Sequence, residues 1–217
     1  MTPAPDPVLA GTTPGHQPTR FPGFDVLAQV DHWDPVTAGV VLARLSMPAP
    51  LRFFTLVEEA VARPLLDLLL DQHDDPRIPV LEMIDVRLTE QLTDGWHYAD
   101  LPEDGLAWRR SLSAIDQDAR SRHDSSFAAC TGDQQATLVQ AVQDTGDDPW
   151  HGMRADRIWS LWTRYACTAF YAHPWAWNEI GFSGPAYPRG YKNRGIDARE
   201  PYEVPDHHPV DPIGASS

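Results

Sequence analysis

Apolar residues recur at helical spacing along most of this chain, and the alternation typical of strands is missing. Trp108, Leu112, Ile115 and Ala119 lie three or four positions apart, so they share one face of a helix. Patterns of this kind predict six helices, at about residues 34–45, 55–72, 78–92, 102–123, 131–142 and 154–171. The predicted fold class is therefore all-α, with a compact multi-helix domain over residues 23–172.

Three further apolar stripes predict which side chains face the core of this domain. A stripe that covers one face of a helix is typical of an element that packs against a neighbour. The predicted inward positions are Val57, Val61, Leu65 and Leu68, then Leu81, Ile84, Leu88 and Leu92, and finally Ile158, Trp162, Tyr165 and Ala169.

Two helix starts carry a capping box, in which a threonine and an acid or amide three positions later cap each other's backbone. Thr55–Glu58 and Thr131–Gln134 both fit this pattern. Pro64 falls inside the helix that starts at Thr55. Because proline removes a backbone donor and crowds the preceding turn, we expect a kink or break there.

The two ends of the chain differ in composition from its middle. Residues 1–22 are rich in Pro, Thr and Gly and predict an irregular extension. An irregular arm rich in aromatic and basic residues is predicted at 173–199, and a polar tail at 200–217. The chain thus divides into an extension, a helical domain, an arm and a tail.

The formal charge of −14 argues against nucleic acid or an anionic membrane as the main partner. No stretch approaches the roughly 20 apolar residues that a membrane-spanning helix needs, so no direct membrane insertion is expected. The N-terminus lacks a cationic, apolar leader and a twin-arginine pair, since its first arginine is Arg20. A cytoplasmic protein is the expectation.

Motifs that carry chemistry are missing from the 217 residues. The sequence contains neither a glycine-rich nucleotide loop, nor HExxH, nor the GxSxG elbow of a serine nucleophile. The two cysteines, Cys130 and Cys167, form no CxxC pair, and whether they form a disulfide stays open. The sequence therefore predicts no catalytic, cofactor-binding or metal-binding residue in this chain.

The predicted arm is the most unusual stretch of the sequence. Ten of the 21 aromatic residues lie between Trp159 and Tyr191, and residues 154–199 carry a net charge of +4. Tryptophan, tyrosine and arginine are enriched at the energetic centres of protein interfaces. The residues predicted to bind a partner are Trp175, Trp177, Phe182, Tyr187, Arg189 and Tyr191.

Other interpretations of the arm remain open from its composition. It is equally compatible with a segment that covers the core of its own domain. Alternatively, the chain is a stand-alone sugar-binding protein or enzyme with an aromatic pocket around His173, Trp175, Trp177 and Glu179, or a helical partner unrelated to redox chemistry. Stacking of nucleic-acid bases on these rings is disfavoured by the charge of −18 on the rest of the chain.

The arm also resembles a known C-terminal signature. His173-Pro174, followed by IGFSGPAYPRGY at residues 180–191, is similar to the end of the gluconate 2-dehydrogenase subunit 3 family. The Phe53-Phe54-Thr55 start and the helix around Trp108 resemble that family too, so that the resemblance covers about residues 50–191.

The resemblance implies an all-helical accessory subunit without known catalytic residues. Its implied partner is a large FAD-containing subunit of the glucose-methanol-choline oxidoreductase type, which oxidises a sugar, polyol or sugar acid. FAD is accordingly expected in the partner and not in this chain. The small subunit would assist the folding, stability or export of the large one; the missing twin-arginine signal, which many members carry, argues against export.

Overall fold

The fold is built almost entirely from helices. A computed structural model describes residues 21, 24–46, 49–96 and 98–186. The α-helices are α1 (Pro35–Ala43), α2 (Leu56–Leu69), α3 (Val80–Thr89), α4 (Asp104–His123), α5 (Gly132–Asp144), α6 (Ala155–Ala172) and α7 (Pro174–Ile180). The described residues also form two 3₁₀ helices, Val26–His32 and Phe127–Ala129, and an antiparallel hairpin of β1 (Pro149–Trp150) with β2 (Met153–Arg154). The predicted all-α class is confirmed.

The local signals that start helices act as predicted. Thr55 and Glu58 cap each other at the start of α2, where the Thr55 N–H donates to Glu58 Oε2 at 2.8 Å. Thr131 and Gln134 form the equivalent box at α5. Each box satisfies backbone donors that the first helical turn leaves without partners.

A kink or break was predicted at Pro64, and no break occurs there, because α2 continues through it from Leu56 to Leu69. Proline inside a helix costs about 3 kcal/mol. Buried side chains lie on both sides of it, namely Val61 and Ala62 before and Leu65 and Leu66 after. Each large apolar side chain contributes about 1.5–3 kcal/mol on burial. Packing of the helix therefore outweighs the local penalty.

The arm is also more regular than the sequence analysis predicted. Residues Pro174–Ile180 form α7, with His173 as N-cap and Pro174 in the first turn. Proline at that position loses no helical hydrogen bond and has a suitable φ. Gly181 then ends the helix with a φ of 66°, a conformation that glycine adopts without steric cost.

Residues 49–73 and 79–170 form one compact unit, called here the central unit. Its long helix α4 buries Trp108, Leu112, Ile115 and Ala119, which confirms the predicted stripe. Ser111 on the same helix accepts a hydrogen bond from Trp162 Nε1 at 2.9 Å. The buried Trp162 indole is thus packed in the core and also hydrogen-bonded.

Residues 21, 24–46, 74–78 and 171–186 belong to a second unit, called here the terminal unit. Its core consists of Val26, Trp33, Val41 and Trp177, which joins the N-terminal helices to α7. The Val26 N–H also donates to the Asn178 side chain at 2.7 Å. Sequence analysis placed α1 and the arm in separate parts of the chain and did not anticipate this pairing.

None of the helices in the described part of the chain combines the length and apolarity that crossing a bilayer requires.

Candidate functional site

Trp177, one of the residues predicted to bind a partner, lies in the core of the terminal unit. Its side chain is only 5% exposed, and its Nε1 donates to the Tyr171 carbonyl at 2.7 Å. The Arg44 guanidinium lies 5.7 Å from the centre of its ring and donates to the Ala172 carbonyl. The indole is therefore largely covered by its own unit.

The other predicted residues of the arm are more accessible or lie outside the described residues. Trp175 is half-buried, with its ring 4.8 Å from that of His173. Phe182 is 37% exposed and meets the Trp177 ring edge-on at 5.3 Å. Tyr187, Arg189 and Tyr191 lie outside the residues that the structure describes. Partner binding by this set stays a prediction.

His173 has a clear structural role at the start of α7. It is buried, and its Nδ1 accepts the Trp175 N–H at 3.2 Å. Burial lowers the pKa of His173 to about 4, so that the ring is neutral at neutral pH. Burial also raises the pKa of Glu179. His173 thus acts as an uncharged helix cap.

The sequence analysis missed an apolar surface on α1. Val36 is 75% exposed, and Val40 and Leu42 are exposed as well. Apart from Thr37 the helix has no polar side chain, since it reads PVTAGVVLA. A helix that is apolar on every side normally lies buried, so the exposure of these side chains makes α1 a candidate binding surface. The apolar composition of the whole helix is the sequence signal that could have revealed this surface.

A cleft of about 640 Å³ opens in the central unit between the end of α3, the start of α4 and α6. Leu92, Trp96 and Leu106 are exposed around it. Leu92 was predicted to lie in the core, but α3 ends at Thr89 and leaves it outside the helix. These three side chains give the cleft an apolar rim.

Arg87, Asp104 and Tyr165 line this cleft and belong to a network of paired charges. Asp104 Oδ2 accepts hydrogen bonds from Tyr165 Oη at 2.7 Å and from Arg164 Nη2 at 3.1 Å. Asp94 pairs with both Arg87 and Arg164. Burial, together with the Asp104 carboxylate, raises the pKa of Tyr165. The two carboxylates of this network are balanced by two guanidinium groups. Such paired charges suit a rigid structural wall better than an acid–base catalyst.

Few other reactive groups lie in the part of the chain that the structure describes. Among the described residues, no group of three or more His, Cys, Asp or Glu side chains is arranged to hold a metal ion. Cys130 is buried and Cys167 exposed, and both are free thiols. Burial and the Asp116 charge raise the pKa of Cys130, which keeps that thiol protonated and unreactive.

Comparison with known proteins finds a family match. A family model described as "Gluconate 2-dehydrogenase subunit 3" matches residues 57–184, which is more than half of the 217-residue chain. No curated protein and no solved structure matches the chain. The matched residues run from the first turn of α2 to just beyond α7, whereas α1 precedes them.

Proposed function

Since the chain belongs to the gluconate 2-dehydrogenase subunit 3 family, we propose that it is the non-catalytic small subunit of a complex whose large subunit is an FAD-dependent dehydrogenase. Membership of the family itself indicates an accessory subunit of a dehydrogenase complex. The proposed large subunit is of the glucose-methanol-choline type and oxidises a sugar, a polyol or a sugar acid. FAD would be held by that subunit, because this sequence contains no glycine-rich nucleotide loop.

The family match carries the proposal, and exposed apolar side chains in both units support it. Monomeric soluble proteins rarely expose large contiguous apolar patches, so such side chains are typical of binding surfaces. α1 of the terminal unit and the first turn of α2 in the central unit both display them. Binding to the folded large subunit but not to its unfolded chain would stabilise the large subunit by mass action.

The alternative of a sugar pocket around His173, Trp175, Trp177 and Glu179 has less support. His173 uses Nδ1 to cap α7, and Trp177 is packed inside the terminal unit. A sugar site needs accessible aromatic faces and polar groups that converge on one cavity. The geometry therefore favours the subunit over the stand-alone sugar-binding protein.

Co-purification tests the proposal directly. A tagged chain is purified from its native host at low salt, and the eluate is scanned for flavin absorbance and assayed with sugars, polyols and an artificial electron acceptor. We expect a flavoprotein and dehydrogenase activity with the complex, and neither with the recombinant chain alone. Flavin or turnover in the isolated chain, or a complex without any flavoprotein, would contradict it.

A further inference from the structure

We propose that a pocket between the start of α2 and α3 is a docking site for an arginine or lysine side chain of the dehydrogenase large subunit. This inference rests on the proposed function and adds the contact surface on this chain and the chemistry of the group that binds there. The pocket has a volume of about 640 Å³ and lies entirely in the central unit. It is separate from the cleft lined by Asp104 and Tyr165.

Leu56 at the rim of the pocket and the neighbouring Val57 are the two most exposed large apolar side chains in the described part of the chain. Leu56 is 84% and Val57 76% exposed. Val57 was predicted to lie in the core, but its position in the first turn of α2 leaves it in solvent. Two adjacent apolar side chains held outward on a rigid helix favour contact with another protein.

Polar contacts fix the backbone that presents this rim. Arg109 pairs with Glu58 at 2.6 Å and donates to the Phe53 carbonyl at 2.7 Å. Burial acts to raise the pKa of Glu58, but hydrogen bonds from Thr55 and Arg109 lower it by more. The Glu58 carboxylate therefore stays ionised. Leu56 lies between these anchored residues and is preorganised for binding.

The floor of the pocket has an excess of negative charge. Arg63 Nη2 donates to Glu59 Oε1 at 2.7 Å and to Glu82 Oε1 at 2.9 Å, so one guanidinium serves two carboxylates. Glu82 Oε2 is buried and has no hydrogen-bond donor among the described residues. A buried acceptor without a donor is destabilising. A cation in the pocket would balance the second negative charge, which Arg63 alone does not.

Charge complementarity identifies the occupant. Apolar walls from Pro50, Leu51 and Phe54 suit the aliphatic stem of arginine or lysine, while the carboxylates suit its charged head. A second copy of this chain is a poorer occupant, because each copy carries a charge of −14 and the two would repel. The observations therefore favour a basic side chain from the large subunit, flanked by an apolar contact on Leu56 and Val57.

The test compares variants of the full chain for binding to the flavoprotein that co-purifies with the wild type. That flavoprotein is dissociated, identified by its flavin spectrum, and titrated against immobilised chain at about 50 and 300 mM salt. The test variants are Glu82→Gln, which removes the charge, and Leu56→Ser, which removes the apolar contact. The matched controls are Glu90→Gln and Leu92→Ser, an arginine-paired glutamate and an exposed leucine outside the pocket.

We expect both test variants to weaken binding by about tenfold or more, and both controls to stay within about twofold of wild type. Glu82→Gln should also reduce the salt dependence of binding, because the ion pair is lost. Because Leu56 is exposed, Leu56→Ser leaves the core intact. The test therefore remains valid even if Glu82→Gln lowers the melting temperature of the chain. Wild-type affinity in Leu56→Ser, or a homodimer that this variant dissociates, would overturn the docking site while leaving the proposed subunit role intact. Failure of the wild-type chain to bind any flavoprotein would overturn both.

Discussion

Replacement of Asp85 on α3 should strongly destabilise the central unit. Its carboxylate is 1% exposed. It accepts three consecutive backbone N–H groups, from Arg52 at 2.7 Å, Phe53 at 2.8 Å and Phe54 at 2.9 Å. These three residues form the strap that leads into α2 and supplies part of the proposed docking pocket. One buried acid thus anchors the segment on which the pocket depends.

The size of the effect follows from these three bonds. A hydrogen bond to a charged group contributes about 1.5–3 kcal/mol net, and a buried donor that loses its partner costs about 1–3 kcal/mol. Because contributions within one cluster do not add fully, we expect Asp85→Ala to lower the free energy of unfolding by about 3–5 kcal/mol. In a chain of this size that corresponds to a melting temperature lower by roughly 6–20 °C.

Asp85→Asn makes the test more specific, because it keeps the size of the side chain. Its amide retains one oxygen for the Phe53 and Phe54 N–H groups but turns an NH₂ group toward the Arg52 N–H. We expect a loss of about 2–3 kcal/mol. Thermal and urea unfolding followed by circular dichroism measure both variants, with the exposed Asp74→Asn as control. A melting temperature within about 2 °C of wild type for Asp85→Ala would refute the reasoning.

Three further predictions concern the terminal unit. Because burial lowers the pKa of His173 from 6.5 to about 4, its neutral form stabilises α7 above pH 6.5, and this contribution, at most about 3 kcal/mol, is lost as the pH falls from 6.5 to 4. The positive charge of nearby Arg44 also opposes protonation of the His173 ring. When the free energy of unfolding is measured against pH, we expect His173→Asn to lack this pH-dependent contribution. Trp177→Ala should cost about 3–5 kcal/mol in unfolding of the free chain, and an unchanged melting temperature would contradict the core assignment. A double replacement of Val36 and Val40 by Ser should change stability by less than about 0.5 kcal/mol but weaken flavoprotein binding in a pull-down; full binding would exclude α1 from the interface.

The helices of the central unit could be predicted because local and tertiary signals agree there. The capping boxes at Thr55 and Thr131 mark two starts, and the stripe on α4 marks the face that is buried. A stripe shows which face of a helix is apolar, but not how far along the helix the core extends. For that reason Val57 and Leu92, at the two ends of such stripes, were assigned to the core and lie in solvent.

The structures of the helix around Pro64 and of the arm depend on contacts between distant parts of the chain. Pro64 opposes a helix locally, and only the packing of residues on both sides of it maintains α2. The composition of the arm does not distinguish a ring that binds a partner from a ring that fills its own core. Trp177 is buried because Val26 and Trp33, about 150 residues earlier in the chain, pack against it. No local pattern in either segment indicates that pairing.

The pairing also bears on how much of the chain the family fold requires. The family match begins at residue 57, yet the terminal unit buries Trp177 with residues that precede the match. A chain cut to the matched residues would lack Val26, Trp33 and Val41. The Trp177 indole would then be exposed, and the hydrogen bond from Val26 to Asn178 would be lost. The N-terminal helices are therefore part of the fold that holds α7, which is the first part of the arm for which partner binding is predicted.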